Sequence, residues 1–309
     1  MNKHESNIVV FSVMLCWASA YVFIKGLPPD LSDFGYLALM NGIAAVILAI
    51  FFFPKFRKLN KSNIVHGIIL GLLMTLVLVF EKQGVDRLTA SSASILTSLD
   101  IIIVPFFTFI IHRKIPQKRQ LLAISIILTG VLVTNGFSFK DFPIVGTIFM
   151  LADCMCMSLY TVVANMYCKN DDAILLAVNQ IIVMAVVAMI VWTIEEPGMI
   201  FKLNYTPTLA SSLFVLAFFT KAYAYILLMY GEAYAEPVDV VIIFALEPVV
   251  TMFLAVCIPS AFGGVEESFS VMTLVGALLI AVGAVIAELN YGRIFQRLRR
   301  IRRRFNAKT

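Results

Sequence analysis

The chain alternates long apolar runs with short polar connections over nearly its whole length. About 20 apolar residues is the length that a helix needs to cross the hydrocarbon core of a bilayer. Connections such as 28–33 (PPDLSD) and 138–143 (SFKDFP) leave no room for a soluble domain between the runs. The pattern therefore predicts an all-α membrane protein with ten transmembrane helices, at about 8–27, 34–53, 64–80, 89–111, 120–137, 144–167, 173–194, 208–230, 238–258 and 269–288.

The composition supports a membrane protein with many spans. The chain is 61% apolar and 14% charged, with a mean hydropathy of +0.93, whereas soluble domains are nearer 45–50% apolar and 25% charged. The excess is spread along the whole chain, which excludes a soluble domain with one anchor. The five cysteines form no CxxC pair and the three histidines lie outside the spans or at their edges. No metal site, disulfide framework or cofactor is expected.

The basic residues predict the orientation. With ten spans both termini share one side, and 18 Lys and Arg residues then fall on that side against four in the opposite loops. Positive charge concentrates on the cytoplasmic side, so we expect both termini in the cytoplasm and the protein in the cell (plasma or inner) membrane. The basic tail 291–309 is either a nucleic-acid patch or a topology signal that contacts anionic lipid. The second interpretation is favoured, with no nucleic-acid partner.

An internal repeat divides the chain in two. The segment 97–105 (TSLDIIIVP) precedes 121–133 as 244–250 (FALEPVV) precedes 274–286, and this alignment pairs Asp100 with Glu247. The two halves are predicted as 1–137 and 138–290. Each holds five spans, an odd number, so the second half enters the membrane from the opposite side. Inverted repeats are typical of secondary transporters, which bind substrate near the midplane where the halves meet.

Four ionisable side chains fall near the middle of predicted spans: Asp100, Asp153, Lys221 and Glu247. Each would cost roughly 2.5–3.5 kcal/mol if it faced lipid, so each should face a partner or water. One interpretation is an ion-pair network, Lys221 with Asp153 or Glu247, that only fixes helix packing. The other is a substrate or proton site, because three carboxylates against one lysine leave two acids unpaired.

Glu247 and Asp100 are the candidates for proton coupling. Pro248 and Pro105 each lack an N–H, so each frees a backbone carbonyl close to one of these acids. Polar backbone at membrane depth is tolerated where it is buried in protein or lines water. Both acids are therefore predicted to line a cavity at the centre of their spans.

Aromatic side chains near these charges are candidates for the cavity wall, since aromatic faces attract organic cations. Trp17 and Tyr21 share one face of the first span, and ordinary packing or an interfacial belt is the alternative for this pair. Tyr160 follows Asp153 by two helical turns, and Tyr225 follows Lys221 by one. Lys221 itself either binds a substrate carboxylate or acts as a counter-ion to Glu247.

Four segments in this order resemble the drug/metabolite transporter superfamily, specifically its EamA-type ten-helix members. They are CWASAYVFIK (16–25), EKQGVDRLTASSASILTSL (81–99), ALEPVVTMFLA (245–255) and GALLIAVG (276–283). The resemblance implies a basket of ten helices around a central cavity lined by spans 1, 3, 4, 6, 8 and 9. It also implies transport of small metabolites, often amino acids, by alternating access without ATP.

The chain departs from related proteins at two places. HRKIP (112–116) stands where many members have an acidic Gly-Glu turn. Trp17 stands where the related four-helix multidrug exporters have their proton-coupling glutamate, which excludes coupling through that position. If coupling exists, another carboxylate must carry it.

The sequence thus predicts a secondary transporter, not an enzyme, that moves a small polar or zwitterionic metabolite of the amino acid or amine type, in the export direction. It would act as a monomer or a homodimer. Two other classes stay open: a membrane receptor or assembly subunit without transport, and an intramembrane enzyme that modifies lipid. The enzyme would need acids and histidines clustered at one membrane surface, whereas these acids lie at mid-depth.

Overall fold

A computed structural model describes residues 3–28, 31–134, 143–198, 202–203, 206–258, 260–262 and 271–288. Within these ranges every regular element is helical. In chain order they are α1 (Lys3–Lys25), α2 (Asp33–Phe51), α3 (Lys61–Arg87), α4 (Ala90–Thr97), α5 (Asp100–His112), α6 (Lys118–Thr134), α7 (Ile144–Cys168), α8 (Ala173–Glu195), α9 (Pro207–Val215), α10 (Ala224–Tyr234), α11 (Pro237–Phe244), α12 (Glu247–Cys257) and α13 (Val271–Glu288).

Ten apolar helical segments match the ten predicted spans. In the described part of the chain, seven are long and apolar enough to cross a membrane, and the remaining three are the shorter apolar helices 100–112, 120–133 and 271–283. Large apolar side chains face outward, such as Ile50 (71% exposed) and Phe253 (66% exposed). Outward apolar side chains suit a protein whose surroundings are hydrocarbon. The structure confirms an all-α, multi-pass membrane fold.

Polar side chains begin the helices at the ends of the bundle. Ser32 caps α2 by accepting a hydrogen bond from the Gly35 N–H, and Asn60 caps α3. Thr206 caps α9, which continues with Pro207 at its first position. Such caps satisfy amide groups that have no partner within the helix. The short polar connections between apolar runs therefore fix where each span starts.

The fourth and ninth spans are broken at repeat-related positions. Helices α4 and α11 each have eight residues, and the chain turns at Leu99 and Leu246 before α5 begins at Asp100 and α12 at Glu247. In the ninth span the interruption lies at Ala245 and Leu246, immediately before Glu247. Pro248 lies in the first turn of α12, where its missing N–H costs no hydrogen bond.

The fifth and tenth spans show that the halves are inverted. A Cβ atom added at Gly130 would lie 2.8 Å from the carbonyl oxygen of Gly276, and one at Gly283 would lie 3.1 Å from that of Ala123. Moving back along α6 from Gly130 to Ala123 therefore moves forward along α13. The two helices are antiparallel, and their contacts exchange under the repeat alignment. The structure confirms two inverted five-helix repeats.

Connections at the end of the bundle where α1 begins, here called the N-terminal end, are tied by ion pairs. Lys55 Nζ lies 3.0 Å from Asp172, and Lys114 Nζ lies 3.2 Å from Glu236. These pairs are largely exposed and contribute little to stability. The boundary at 137–138 and the tail 291–309 lie outside the described residues, so the division into 1–137, 138–290 and the tail stays a prediction.

Candidate functional site

A cavity with both charged and apolar side chains in its wall lies at the centre of the bundle, between the two halves. The cavity volume open to the centre of a water molecule is about 60 Å³. One water needs roughly 10–15 Å³ on the same measure, so several waters fit. The lining comes from spans 1, 3, 4, 6, 8 and 9, the six that the sequence resemblance implies. It consists of Trp17, Ala20, Tyr21, Met74, Val77, Leu78, Glu81, Thr97, Ser98, Asp100, Asp153, Met157, Thr161, Lys221, Tyr225, Val241, Phe244, Ala245 and Glu247.

Two of these acids sit at the breaks in the spans. Asp100 is the first residue of α5, and Glu247 is the first residue of α12. A helix N-terminus carries partial positive charge, which favours a nearby carboxylate. Asp100 Oδ1 also accepts a hydrogen bond from Ser158 Oγ at 3.0 Å. The inverted repeat therefore places one acid from each half at the centre of the cavity.

The eighth span contains a π-helical stretch at Leu216–Tyr223, and Lys221 lies within it. Such wide turns are rare and frequently occur at functional sites. The indole Nε1 of Trp17 donates a hydrogen bond of 3.1 Å to the carbonyl of Thr220. The irregular backbone next to Lys221 is thus held by a side chain from the first span, on the cavity wall.

Aromatic rings form one side of the cavity. The ring of Trp17 stacks on Phe244, with centroids 5.1 Å apart and 19° between the planes, and lies 5.7 Å from the ring of Tyr225. Lys221 Nζ lies 5.2 Å from the centroid of Tyr225. This is the distance at which an ammonium group interacts with an aromatic face. A cation–π position on this wall is already occupied by the protein's own lysine.

Lys221 does not form either of the ion pairs considered from the sequence. Among the described residues, no carboxylate oxygen lies within 4.0 Å of its Nζ, so pairs with Asp153 and Glu247 are absent from this conformation. Asp153 and Glu247 are therefore not consumed by a packing pair with Lys221.

Sequence reasoning missed Glu81. The third span was predicted to end at residue 80, but α3 continues to Arg87 and carries Glu81 into the cavity lining. The available signal was the helical spacing from Met74 to Glu81, seven residues on one face. Lys82 and Arg87, two of the four basic residues that the sequence assigned to the opposite loops, lie in the last turns of α3.

Lys82, the neighbour of Glu81 on α3, faces a charged cluster and not the cavity. It is buried, and its Nζ lies 2.5 Å from Asp86 and 3.7 Å from Asp33 at the start of α2. The charge of Lys82 is thus balanced at the end of the bundle opposite the N-terminal end. Neighbouring positions 81 and 82 point to the cavity and to this cluster, respectively.

Tyr160 is the one predicted site residue that the structure does not bring to the described lining. It is fully buried, and its hydroxyl donates a 2.9 Å hydrogen bond to Gln180 Oε1 on α8. The other predicted residues, Glu247, Asp100, Lys221, Asp153, Trp17, Tyr21 and Tyr225, do come together there. Their roles in binding stay predictions.

The described cavity lining carries four carboxyl groups and one ammonium group. Two further polar atoms, Ser98 Oγ and Tyr225 Oη, are buried and form no hydrogen bond with any described residue. Buried polar groups usually have partners. The lining therefore leaves unsatisfied acceptors and hydroxyl groups for a polar ligand or for water.

Comparison with known proteins agrees with this architecture. The family model described as "EamA-like transporter family" matches residues 5–136 and 144–289. The chain belongs to the EamA-like transporter family. Two uncharacterized transporters of Archaeoglobus fulgidus are similar to it. One is 22% identical over 280 residues (90% of this chain and 83% of the relative), and the other is 23% identical over 288 residues (91% and 96%).

A protein of known crystal structure shares the fold of this EamA-like transporter. The two superpose with a TM-score of 0.72 at 16% identity, over 93% of this chain and 98% of the other. Together with the family match, these relatives identify a multi-pass transporter of the drug/metabolite superfamily.

Proposed function

We propose that this transporter carries a small polar or zwitterionic metabolite, of the amino acid or amine type, out of the cell by alternating access. The observation that supports this most directly is the cavity at the repeat interface, with four carboxyl groups, one lysine and an aromatic wall. A charged group of the substrate would supply at mid-depth the counter-charge that the lining lacks. The protein itself would lie in the cell membrane with both termini in the cytoplasm.

The lining suggests a division of roles. Glu247 and Asp100 would receive the positive group of the substrate or a coupling proton. Asp153 and Glu81 add negative charge beside them, and Lys221 would receive a substrate carboxylate. The aromatic wall of Trp17, Tyr21 and Tyr225 would hold the apolar part. Tyr160, predicted for the same wall, is not in the described lining, and its hydroxyl is bonded to Gln180.

The direct test is flux into proteoliposomes that contain the purified protein. Labelled amino acids and simple amines are offered with and without a pH gradient, and protein-free liposomes give the background. We expect saturable uptake of at least one class. A ligand-induced rise in melting temperature without any flux would instead indicate a receptor, and turnover of a lipid panel would indicate an enzyme.

Lys221→Met distinguishes a zwitterionic substrate from a simple amine. Methionine has a similar length, and it is the residue at the repeat-related position, Met74. Loss of a charged hydrogen bond costs about 1.5–3 kcal/mol, so we expect the apparent affinity for a transported amino acid to fall about 10- to 100-fold. The affinity for the corresponding amine without a carboxylate should change little.

The comparison uses concentration-dependent uptake of the paired amino acid and amine. An equal loss for both compounds would contradict a carboxylate contact and would make Lys221 a counter-ion to the cavity acids. No loss for either would remove it from the site.

A further inference from the structure

A buried glutamate outside the cavity has no partner in the described structure. Glu232 on α10 is 0% exposed, and neither of its carboxyl oxygens forms a hydrogen bond with a described residue. It is not among the residues that line the cavity. Buried carboxyl groups that serve packing alone are usually hydrogen-bonded or paired, so this one calls for another explanation.

Glu232 lies between the cavity and the N-terminal end of the bundle. It follows the cavity residue Tyr225 by seven positions, so both lie on one face of α10, about 10 Å apart along the axis. The sulfur atoms of Cys168 and Met229 meet at 3.4 Å on the same helix interface. Met229 follows Tyr225 by one helical turn and precedes Glu232 on α10, and both sulfur-bearing side chains are buried.

The polar groups that face Glu232 from α7 do not bind its carboxyl group. Asn165 Nδ2 donates to the backbone carbonyls of Glu232 and Ala235 at 2.6 Å and 2.8 Å. Lys169 Nζ donates to Asn165 Oδ1 at 2.6 Å, and Lys169 itself is exposed at the N-terminal end. Cys168 and Tyr160 are the other titratable side chains of α7 that lie near Glu232.

The first span contacts α10 at the residue before Glu232. Ser6 Oγ donates a 3.0 Å hydrogen bond to the carbonyl of Gly231, and a Cβ atom at Gly231 would lie only 2.6 Å from Val10 Cγ2. α1 and α10 are therefore in direct contact here. The seam between α1 and α10 therefore runs one residue from Glu232.

We propose that Glu232 is a proton-binding site that controls closure of the N-terminal end. When the end is closed, the carboxyl group is removed from water and from any described donor, so closure favours a bound proton over a bare charge. When α1 and α10 separate, water can solvate the carboxylate and the proton returns to solution. Since Glu232 is not part of the cavity lining, its proton would enter and leave on the N-terminal side. It gates transport and does not drive it.

This inference rests on the proposed alternating access, but its test needs no substrate. Cys168 is buried at the gate and Cys257 is exposed on α12. Purified protein is treated with a maleimide at several pH values, and peptide mass spectrometry gives the ratio of labelling at Cys168 to that at Cys257. The exposed cysteine corrects for the pH dependence of the reagent.

We expect the wild-type ratio to fall as the pH is lowered, by up to about tenfold per pH unit if one proton closes the gate. In Glu232→Gln, which carries no titratable group, the ratio should stay low and flat. Glu232→Asp should restore the pH dependence. Glu195→Gln, exposed at the last residue of α8 on the opposite side of the bundle, is the matched control and should behave as wild type.

A flat wild-type ratio, or a Glu232→Gln ratio that follows the wild type, would overturn the proposal. If the glutamine variant does not fold, Glu232→Met gives the same test, because methionine is apolar and of similar length. Absence of flux in the substrate panel would count against the proposed transport and would leave the labelling result unaffected.

Discussion

Glu247→Gln is expected to lower the affinity for a cationic or zwitterionic substrate by about 30-fold or more. Removing one partner of a buried charge pair costs about 2–5 kcal/mol, and 2 kcal/mol corresponds to roughly 30-fold in a binding constant. The glutamine keeps the size of the side chain at the first position of α12, so the fold should be retained. Concentration-dependent uptake in proteoliposomes measures the loss.

The control for this variant is Glu236→Gln, which removes an exposed carboxylate paired with Lys114. Its uptake should equal that of the wild type. If Glu247 carries the coupling proton, Glu247→Gln should also abolish the response of uptake to a pH gradient while exchange of labelled for unlabelled substrate persists. Unchanged affinity together with an unchanged pH response would show that Glu247 belongs neither to the substrate site nor to the coupling site.

Gly130→Ala is expected to give the largest loss of stability among single-methyl substitutions on the helix faces. The added Cβ would lie 2.8 Å from the carbonyl oxygen of Gly276 and 2.9 Å from the backbone N of Ile280. Backbone atoms cannot rotate away as side chains do, so α6 and α13 must move apart. Overpacking of this kind costs typically about 1–3 kcal/mol.

Gly42→Ala is the matched control on α2, because a Cβ atom there meets no atom within 4 Å. Helix propensity favours alanine over glycine by about 1 kcal/mol, so this variant should be neutral or stabilised. Melting temperatures of the two purified variants decide the matter. If Gly130→Ala melts at or above the temperature of Gly42→Ala, the close contact of α6 and α13 is not essential.

The two halves share a backbone plan but differ in chemistry at the cavity. Asp100 and Glu247 are related by the repeat and both are acids. At the same spacing Met74 corresponds to Lys221, and Glu81 corresponds to the buried Leu228. The two halves thus have related backbones but place different charges at related positions. A site that binds an asymmetric molecule requires such a difference. These differences also explain why the repeat alignment paired only two of the four cavity acids, Asp100 and Glu247.

The fold could be predicted from the family resemblance and the internal repeat, because both are recognised in short stretches of sequence. Twenty apolar residues form a helix in hydrocarbon whatever their neighbours are, and the pairing of Asp100 with Glu247 fixes the relation of the halves. The position of the turn within each broken span was not predicted. A proline after Glu247 predicts an interrupted helix, but whether the helix kinks or restarts depends on the packing around the turn at Leu246.

The sequence by itself determined ten apolar spans, their inverted repeat and most of the polar residues that reach the centre. Only the tertiary structure decided that Glu81 faces the cavity and Lys82 does not, that Tyr160 bonds to Gln180, and that Glu232 is buried apart from the cavity. The physical reason is that these helices are apolar on nearly every side. With hydrocarbon outside and protein inside, the sequence pattern cannot tell which face is turned inward, and packing of the whole bundle decides it.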